Sequence, residues 1–261
     1  MNSGKENAFV LNLFDDHRET ASINVYGGTY HKFDPANNLS EYEGFSFVDP
    51  GYGSYELEAG YWTVVAKDQE IRVATVAALQ DAAFHGAVAV LDADLALETP
   101  IMVTGNLTID LNKHVLTSKQ DVFDVTGTLT VNGSGNVVAA TKKTCSWCAV
   151  YAHENGVVTL NGGEYKVGAP EGDYNDLIYA KENAKIFVNG GTYYAEGATR
   201  ADGVTFVLNL KDNSEAQIEV KGGQFEKYDP ANAGTEPSVK NFVAAGYKSV
   251  QNGDWFTVMA E

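Results

Sequence analysis

The sequence predicts an all-β fold, a right-handed parallel β-helix (a solenoid) with a short N-terminal capping helix and a C-terminal tail hairpin. Three observations predict it: a motif repeated at near-constant intervals, alternating apolar residues within each repeat, and a composition rich in glycine and aromatic residues. The 261 residues include 26 Gly, 14 Tyr and 12 Phe but only 6 Pro, and 44% of them are hydrophobic. Such a composition favours short strands joined by tight turns.

The repeat consists of a strand, a Gly–Gly pair and a second strand. Four copies align, at residues 20–33, 155–167, 183–195 and 215–228, and weaker copies lie at 105–116 and 127–138. The last three pairs begin at Gly162, Gly190 and Gly222, at steps of 28 and 32 residues. This interval is typical of a solenoid in which each repeat forms one rung. An antiparallel sandwich of hairpins is the alternative, and the regular step argues against it.

The alternation within the copies predicts which side chains face inward. One inward column comprises Ile23, Val158, Ile186 and Ile218. An aromatic column after the bend comprises Tyr30, Tyr165, Tyr193 and Phe225. Residues between these columns, such as Thr159, are expected to face outward because side chains alternate along a strand. The Gly–Gly pair suits a corner that needs positive φ or close backbone approach.

A longer duplication predicts the domain organisation. Residues 1–66 repeat at 198–260, about 195 positions later; Asp34-Pro35, for example, recurs as Asp229-Pro230. We expect residues 1–69 to be the last rungs and tail of a preceding equivalent unit, and 70–261 to be a complete unit. The complete unit would begin with a cap helix at about 75–84, started by Thr75. Its rungs would span about 86–228 and its tail 229–261.

The net charge limits which classes of binding partner are expected. The formal net charge is −17, from 35 acidic and 18 basic side chains. So acidic a surface repels phosphate backbones, so nucleic acid is not an expected partner. The chain has no run of about 18 apolar residues, so no membrane span is expected.

The run LTIDLNKHVLT at 107–117, the Gly–Gly repeats and the ending GYKSVQNGDWFTV resemble β-helix repeat proteins of gut bacteria and their phages. Those include surface repeat proteins, phage head fibres and tailspike-like proteins. The resemblance covers nearly all of 70–261 and again 1–66. It implies a module of a virion or a bacterial cell surface, in a family with carbohydrate-binding, adhesive and structural members. More distant pectate lyase-like relatives are enzymes.

Two titratable clusters are candidates for an active site and a cation site. The turn Asp15–Arg18 carries acids, a histidine and an arginine, as a polysaccharide-cleaving site would. Its duplicate, Lys211–Ser214, lacks the histidine and arginine, which favours a polar turn. Asp92 and Asp94 alternate onto one predicted strand face and can bind a cation, but a solvated acidic edge is the more common outcome.

The cysteines do not predict a metal site. Cys145 and Cys148 have CxxC spacing, but zinc needs about four ligands and His153 is the one near candidate. Two small apolar residues, or a local disulfide, explain the pair. No metal, cofactor or catalytic residue is therefore predicted.

The predicted function is a non-enzymatic structural or adhesive module. No set of acids and bases converges on one groove in the sequence pattern, which argues against catalysis. The outward aromatic residues Tyr26, Phe187 and Tyr194 are the predicted glycan-binding residues. The predicted partner is carbohydrate or a neighbouring protein subunit, in a homo-oligomer or a tandem array. The alternative is a polysaccharide lyase or glycoside hydrolase of the pectate lyase-like class.

Overall fold

The computed structural model describes residues 9–17, 19–37, 45–140, 148–168, 176–199 and 203–261. Strands dominate these ranges, and one α-helix and three short 3-10 helices accompany them. The helix is α1 (Val76–His85), and the 3-10 helices are Asp15–His17, Glu196–Ala198 and Pro230–Asn232.

The strands are numbered in chain order. The first eight are β1 (Gly28–His31), β2 (Tyr52–Glu58), β3 (Tyr61–Ala66), β4 (Glu70–Val73), β5 (Ala87–Leu91), β6 (Leu95–Leu97), β7 (Ile101–Val103) and β8 (Asn106–Asp110). The next eight are β9 (Val115–Ser118), β10 (Phe123–Val125), β11 (Thr128–Asn132), β12 (Asn136–Ala139), β13 (Val150–Ala152), β14 (Val157–Leu160), β15 (Glu164–Val167) and β16 (Ile178–Ala180). The last seven are β17 (Lys185–Val188), β18 (Thr192–Tyr193), β19 (Leu208–Leu210), β20 (Gln217–Val220), β21 (Gly223–Glu226), β22 (Tyr247–Asn252) and β23 (Trp255–Ala260).

Four sheets contain these strands. A three-stranded sheet has the order β1-β3-β2, and a five-stranded sheet has the order β19-β16-β13-β10-β7. A seven-stranded sheet runs β20-β17-β14-β11-β8-β5-β4, and an eight-stranded sheet runs β22-β23-β21-β18-β15-β12-β9-β6. From β5 to β21 the chain visits the three larger sheets in turn, and each strand pairs in parallel with the strand three positions along.

The in-register stacking of the central repeats is confirmed. Val158, Ile186 and Ile218 are directly paired neighbours in the seven-stranded sheet. Tyr165, Tyr193 and Phe225 are likewise paired, and their rings stack with centroids 5.0 and 4.7 Å apart. The Tyr165 and Tyr193 hydroxyls donate to the carbonyls of Gly162 and Gly190, so the buried aromatic column leaves neither hydroxyl unpaired.

The two corner glycines have different tasks. Gly190, the first glycine of its pair, has no room for a side chain, because a Cβ there would lie 2.5 Å from the carbonyl oxygen of Asn161. The second has a left-handed backbone, with φ of 96° at Gly191. Close approach and positive φ are therefore both required at this corner.

The predicted helix is confirmed. Helix α1 begins after Thr75, whose hydroxyl accepts a hydrogen bond from the amide of Ala78. The residues Leu79, Ala82 and Ala83 are buried in the main core. Strand β2 packs against the helix, and the buried hydroxyl of its Tyr55 donates to the carbonyl of Gly86 at 2.6 Å.

The fold prediction of a single all-β solenoid is wrong. The strands divide among several side-by-side sheets, one wholly antiparallel and one mixed, and α1 contributes to the core. The chain therefore has a multi-sheet fold. The repeat at 20–33 lies apart from the others: β1 belongs to the separate three-stranded sheet, so Ile23 and Tyr30 do not join the columns of the other copies.

The long duplication is visible in the hydrogen bonds. The amide of Val25 donates to Phe47 O at 2.7 Å, and the amide of Val220 donates to Phe242 O at 2.8 Å. β1 pairs with β3 as β21 pairs with β23. The boundary between residues 69 and 70 stays a prediction. In the ranges that the structure describes, no helix is long and apolar enough to cross a membrane.

Candidate functional site

The candidate site lies on the outer face of the five-stranded sheet. In β7, β10, β13 and β16 the first and third residues are buried, whereas in β19 the first two are. The middle residues of all five strands are in register across the sheet. We call this row the outer strip; it comprises Met102, Asp124, Tyr151, Tyr179 and Asn209. At about 4.8 Å between neighbouring strands, the row is about 19 Å long. One end of the row is the apolar side chain of Met102, and the other four members are polar or aromatic.

Three rings form the centre of the strip. Tyr151 and Tyr179 are half-buried and stacked, with centroids 5.8 Å apart and planes inclined by 13°. The imidazole of His153 stacks on Tyr151 at 4.7 Å and 18°. Parallel pairing in register produces this row, because strand neighbours place their side chains directly beside one another. The result is a platform of three stacked rings whose planes are nearly parallel.

Charged groups border the platform. His153 Nε2 lies 2.7 Å from Asp124 Oδ1, and both side chains are 18% exposed. The ammonium of Lys181 lies 5.3 Å from the centre of the Tyr151 ring, and it pairs with Glu182 at 3.5 Å. Burial raises the pKa of Tyr151, and the nearby Lys181 opposes that rise. Acids and bases therefore lie close to the stacked rings.

Asp121 is the most perturbed acid near the strip. It is 8% exposed, and the backbone amide of Cys148 donates to its Oδ1. Burial, with a smaller contribution from the charge of Asp124, raises the pKa of Asp121 to about 6. A carboxyl group with that pKa holds a proton part of the time near neutral pH, whereas an ordinary aspartate does not.

The far end of the strip is closed by a polar network. The buried amide of Asn209 donates to Asp176 Oδ1 at 2.8 Å, and its oxygen accepts from the amide of Glu236 at 2.9 Å. The carboxylate of Glu236 accepts from Lys211 Nζ at 2.9 Å and also hydrogen-bonds to Tyr179. Burial and then Glu236 raise the pKa of Tyr179, so its hydroxyl remains a neutral donor.

The structure does not bring the three predicted glycan-binding residues together. Tyr26 is 56% exposed in the N-terminal part, where it contacts Tyr52 edge-on. Phe187 lies on the seven-stranded sheet, between Thr159 and Glu219. These two belong to separate surfaces.

The third of them, Tyr194, follows β18 in the eight-stranded sheet. Its hydroxyl donates to Glu164 at 3.2 Å, and the ammonium of Lys166 lies 4.4 Å from its ring centre. Trp255 packs edge-on against the same ring. Glycan binding at Tyr26, Phe187 and Tyr194 stays a prediction, and none of the three lies on the outer strip.

The other sequence candidates have local partners. Asp92 pairs with Arg72 at 3.1 Å, and Asp94 pairs with His114 at 3.0 Å, so their carboxylates are engaged by the protein. Asp15–His17 form a 3-10 turn, and Arg18 lies outside the described residues. Cys145 also lies outside them, whereas Cys148 is buried.

The structure adds a contact that the sequence pattern did not predict, because Asp124 and His153 lie next to each other beside the stacked tyrosines. That no acids and bases converge on one groove stays a prediction. The repeats held a signal that was missed: the short strands FDV, VYA and IYA align Asp124, Tyr151 and Tyr179 in one outward column. In the described ranges, no group of three or more His, Cys, Asp or Glu side chains is placed to hold a metal ion.

Comparison with known proteins identifies no relative. No family model, no curated protein and no solved structure matches the chain. The resemblance to repeat proteins of gut bacteria and phages therefore stays a prediction.

Proposed function

We propose that the chain is a non-enzymatic structural or adhesive module that binds carbohydrate along the outer strip. The observation that carries the proposal is the stacked pair Tyr151–Tyr179, which is partly open to solvent and bordered by carboxylates. Binding sites for small polar ligands combine flat aromatic walls with a few fixed polar groups. Tyrosine offers both an apolar face and a hydroxyl, as a sugar ring with its apolar face and hydroxyl rim requires.

The surrounding charges indicate which carbohydrates fit. Asp124, Asp176 and Glu236 lie along the strip, while Lys181 and Lys211 are each engaged by an acidic or phenolic partner. Hydrogen bonds that a carboxylate accepts are stronger than neutral ones. Neutral, hydroxyl-rich glycans are therefore favoured over uronate polymers, which the acidic surface repels.

A glycan array tests the proposal. The Tyr151→Leu and Tyr179→Leu variants keep apolar bulk and remove the flat face, so we expect at least tenfold weaker binding, about 1.4 kcal/mol. Tyr26→Leu is the matched control, because that tyrosine lies on a separate surface. Circular dichroism and urea midpoints must show that all three variants are folded. Unchanged binding by both strip variants would exclude the strip as the binding surface.

A polysaccharide-cleaving enzyme is the second candidate, favoured by one observation. Asp121 has a pKa raised to about 6 by burial, and the nearby Asp124 carboxyl group adds to that rise. A carboxyl group with a raised pKa beside a second carboxyl group is a usual arrangement in glycoside hydrolases. We expect no release of reducing ends or unsaturated products. If wild type releases them and Asp121→Asn and Asp124→Asn do not, while Asp16→Asn does, the enzyme replaces the binding module.

The setting we propose is a virion or a bacterial cell surface. The continuous core, whose buried members run from Tyr55 to Val258, supports a rigid scaffold role. The duplicated end structures support assembly in a tandem array or homo-oligomer. Light scattering across a concentration series tests assembly, and a single mass equal to the monomer at all concentrations contradicts the homo-oligomer.

A further inference from the structure

A pocket of about 430 Å³ opens at the near end of the outer strip. It lies between the C-terminal end of α1 and the strand β7. Phe84, Pro100 and Met102 supply its apolar wall, and Gln80, Asp81 and Thr104 supply polar groups.

The apolar wall is unusually open. Phe84 is 71% exposed and Met102 is 51% exposed. Their neighbours are fully buried: Ala83 precedes Phe84 in the helix, and Ile101 and Val103 flank Met102 in the strand. The core is therefore complete without these two side chains, and neither is needed to fill it. Large apolar side chains that are exposed together in a concave site mark a place where a ligand is bound.

The pocket continues the outer strip. Met102 is the direct strand partner of Asp124, one interstrand step from the His153 pair and two from Tyr151. A ligand lying on the tyrosines therefore reaches the pocket without leaving the sheet face. The carboxyl group of Asp81, which accepts the amide of Glu56 at 2.8 Å, makes the pocket unfavourable for an anion.

We propose that this pocket is an acyl subsite, which takes an uncharged acyl substituent, such as an acetyl ester or amide, of a carbohydrate bound on the strip. The proposal rests on the proposed function for its carbohydrate part. The methyl or alkyl end of the acyl group packs on Phe84 and Met102. Its carbonyl accepts a hydrogen bond from the Gln80 amide or the Thr104 hydroxyl.

The full chain with ¹³C-labelled methionine methyl groups offers a direct test. Two methionines lie in the described ranges, Met102 in the pocket and Met259, which is 46% exposed and lies outside it. We expect N-propylacetamide to shift the Met102 methyl signal saturably at millimolar concentrations and to leave Met259 unmoved. Phe84→Ala should abolish the shift, and acetate ion should produce none. An unsaturable shift, or equal shifts at both methionines, overturns the subsite.

A second measurement separates this inference from the proposed function. Wild type should bind acetylated xylo-oligosaccharides at least fivefold more tightly than the same oligosaccharides after deacetylation. Phe84→Ala should remove this preference and leave binding of the deacetylated oligosaccharides unchanged. Val239→Ala, at a site that is 63% exposed and outside the pocket, is the control. If wild type binds glycan but its Met102 methyl signal does not respond to N-propylacetamide, the acyl subsite is overturned and the carbohydrate function stands. An amide response without any glycan binding overturns the carbohydrate function and leaves an acyl-binding pocket.

Discussion

Two equivalent glycines offer a sharp test of the corner. Gly27 and Gly222 hold the same place in the duplicated segments, as the first residue of a Gly–Gly pair. At Gly222 a Cβ would meet the carbonyl of Asn189 inside 3.0 Å, a distance that real Cβ atoms essentially never show. At Gly27, the nearest atom of the described residues that a Cβ would meet is Val64 O, at 3.8 Å. The same substitution should therefore have opposite consequences.

The magnitudes follow from those contacts. In Gly222→Ala the obstacle is a backbone carbonyl in a paired strand region, which cannot swing away as a flexible side chain can. Overpacking of this kind costs about 1–3 kcal/mol. In Gly27→Ala the contact is ordinary, and the alanine restricts the unfolded chain, so we expect no loss or a gain of up to about 1 kcal/mol.

Urea unfolding and hydrogen exchange provide the assays. Urea midpoints report the global change, and the amides of Val25 and Val220, which donate to equivalent carbonyls, report each segment separately. Equal losses in both variants, or an unchanged midpoint in Gly222→Ala, would refute steric exclusion by the neighbouring strand. Gly28→Ala, at φ of 113°, is a positive control for strain in the N-terminal copy.

The remaining predictions concern packing and pH. Ile186→Ala, at a fully buried position, should cost about 2–4 kcal/mol, and its outward neighbour Thr159→Ala less than about 0.5 kcal/mol, measured by urea unfolding; equal costs would mean that the register is shifted. Burial raises the pKa of Asp121 to about 6 in the folded chain, against about 3.9 when the chain is unfolded. The resulting contribution to the free energy of unfolding is fully present below about pH 4 and is lost as pH rises through 6. Asp121→Asn should remove up to about 3 kcal/mol of that pH dependence, and unfolding curves of both proteins that stay parallel from pH 4 to 7 would contradict it.

The residues that face the core were readable from the sequence. The columns through Ile186 and Tyr193 follow from alternation and a fixed interval, because each strand repeats the constraint of the one beside it. The cap at Thr75 was readable for a similar reason, since N-capping depends on neighbours within one helical turn. Both features depend on interactions between residues that are close in sequence: alternation along each strand, and capping within one helical turn.

The sheet arrangement and the candidate site depended on the tertiary structure. The strand at 28–31 pairs with β3 in a separate sheet, whereas its counterpart β21 pairs both with the hairpin strand β23 and with β18 of the preceding repeat. Asp121, Asp124 and His153 belong to no shared motif, and their interaction arises because adjacent strands lie about 4.8 Å apart. The sequence determined which side chains leave the core, and only the packed sheets decided which of them meet, because contacts between distant residues depend on strand pairing and burial.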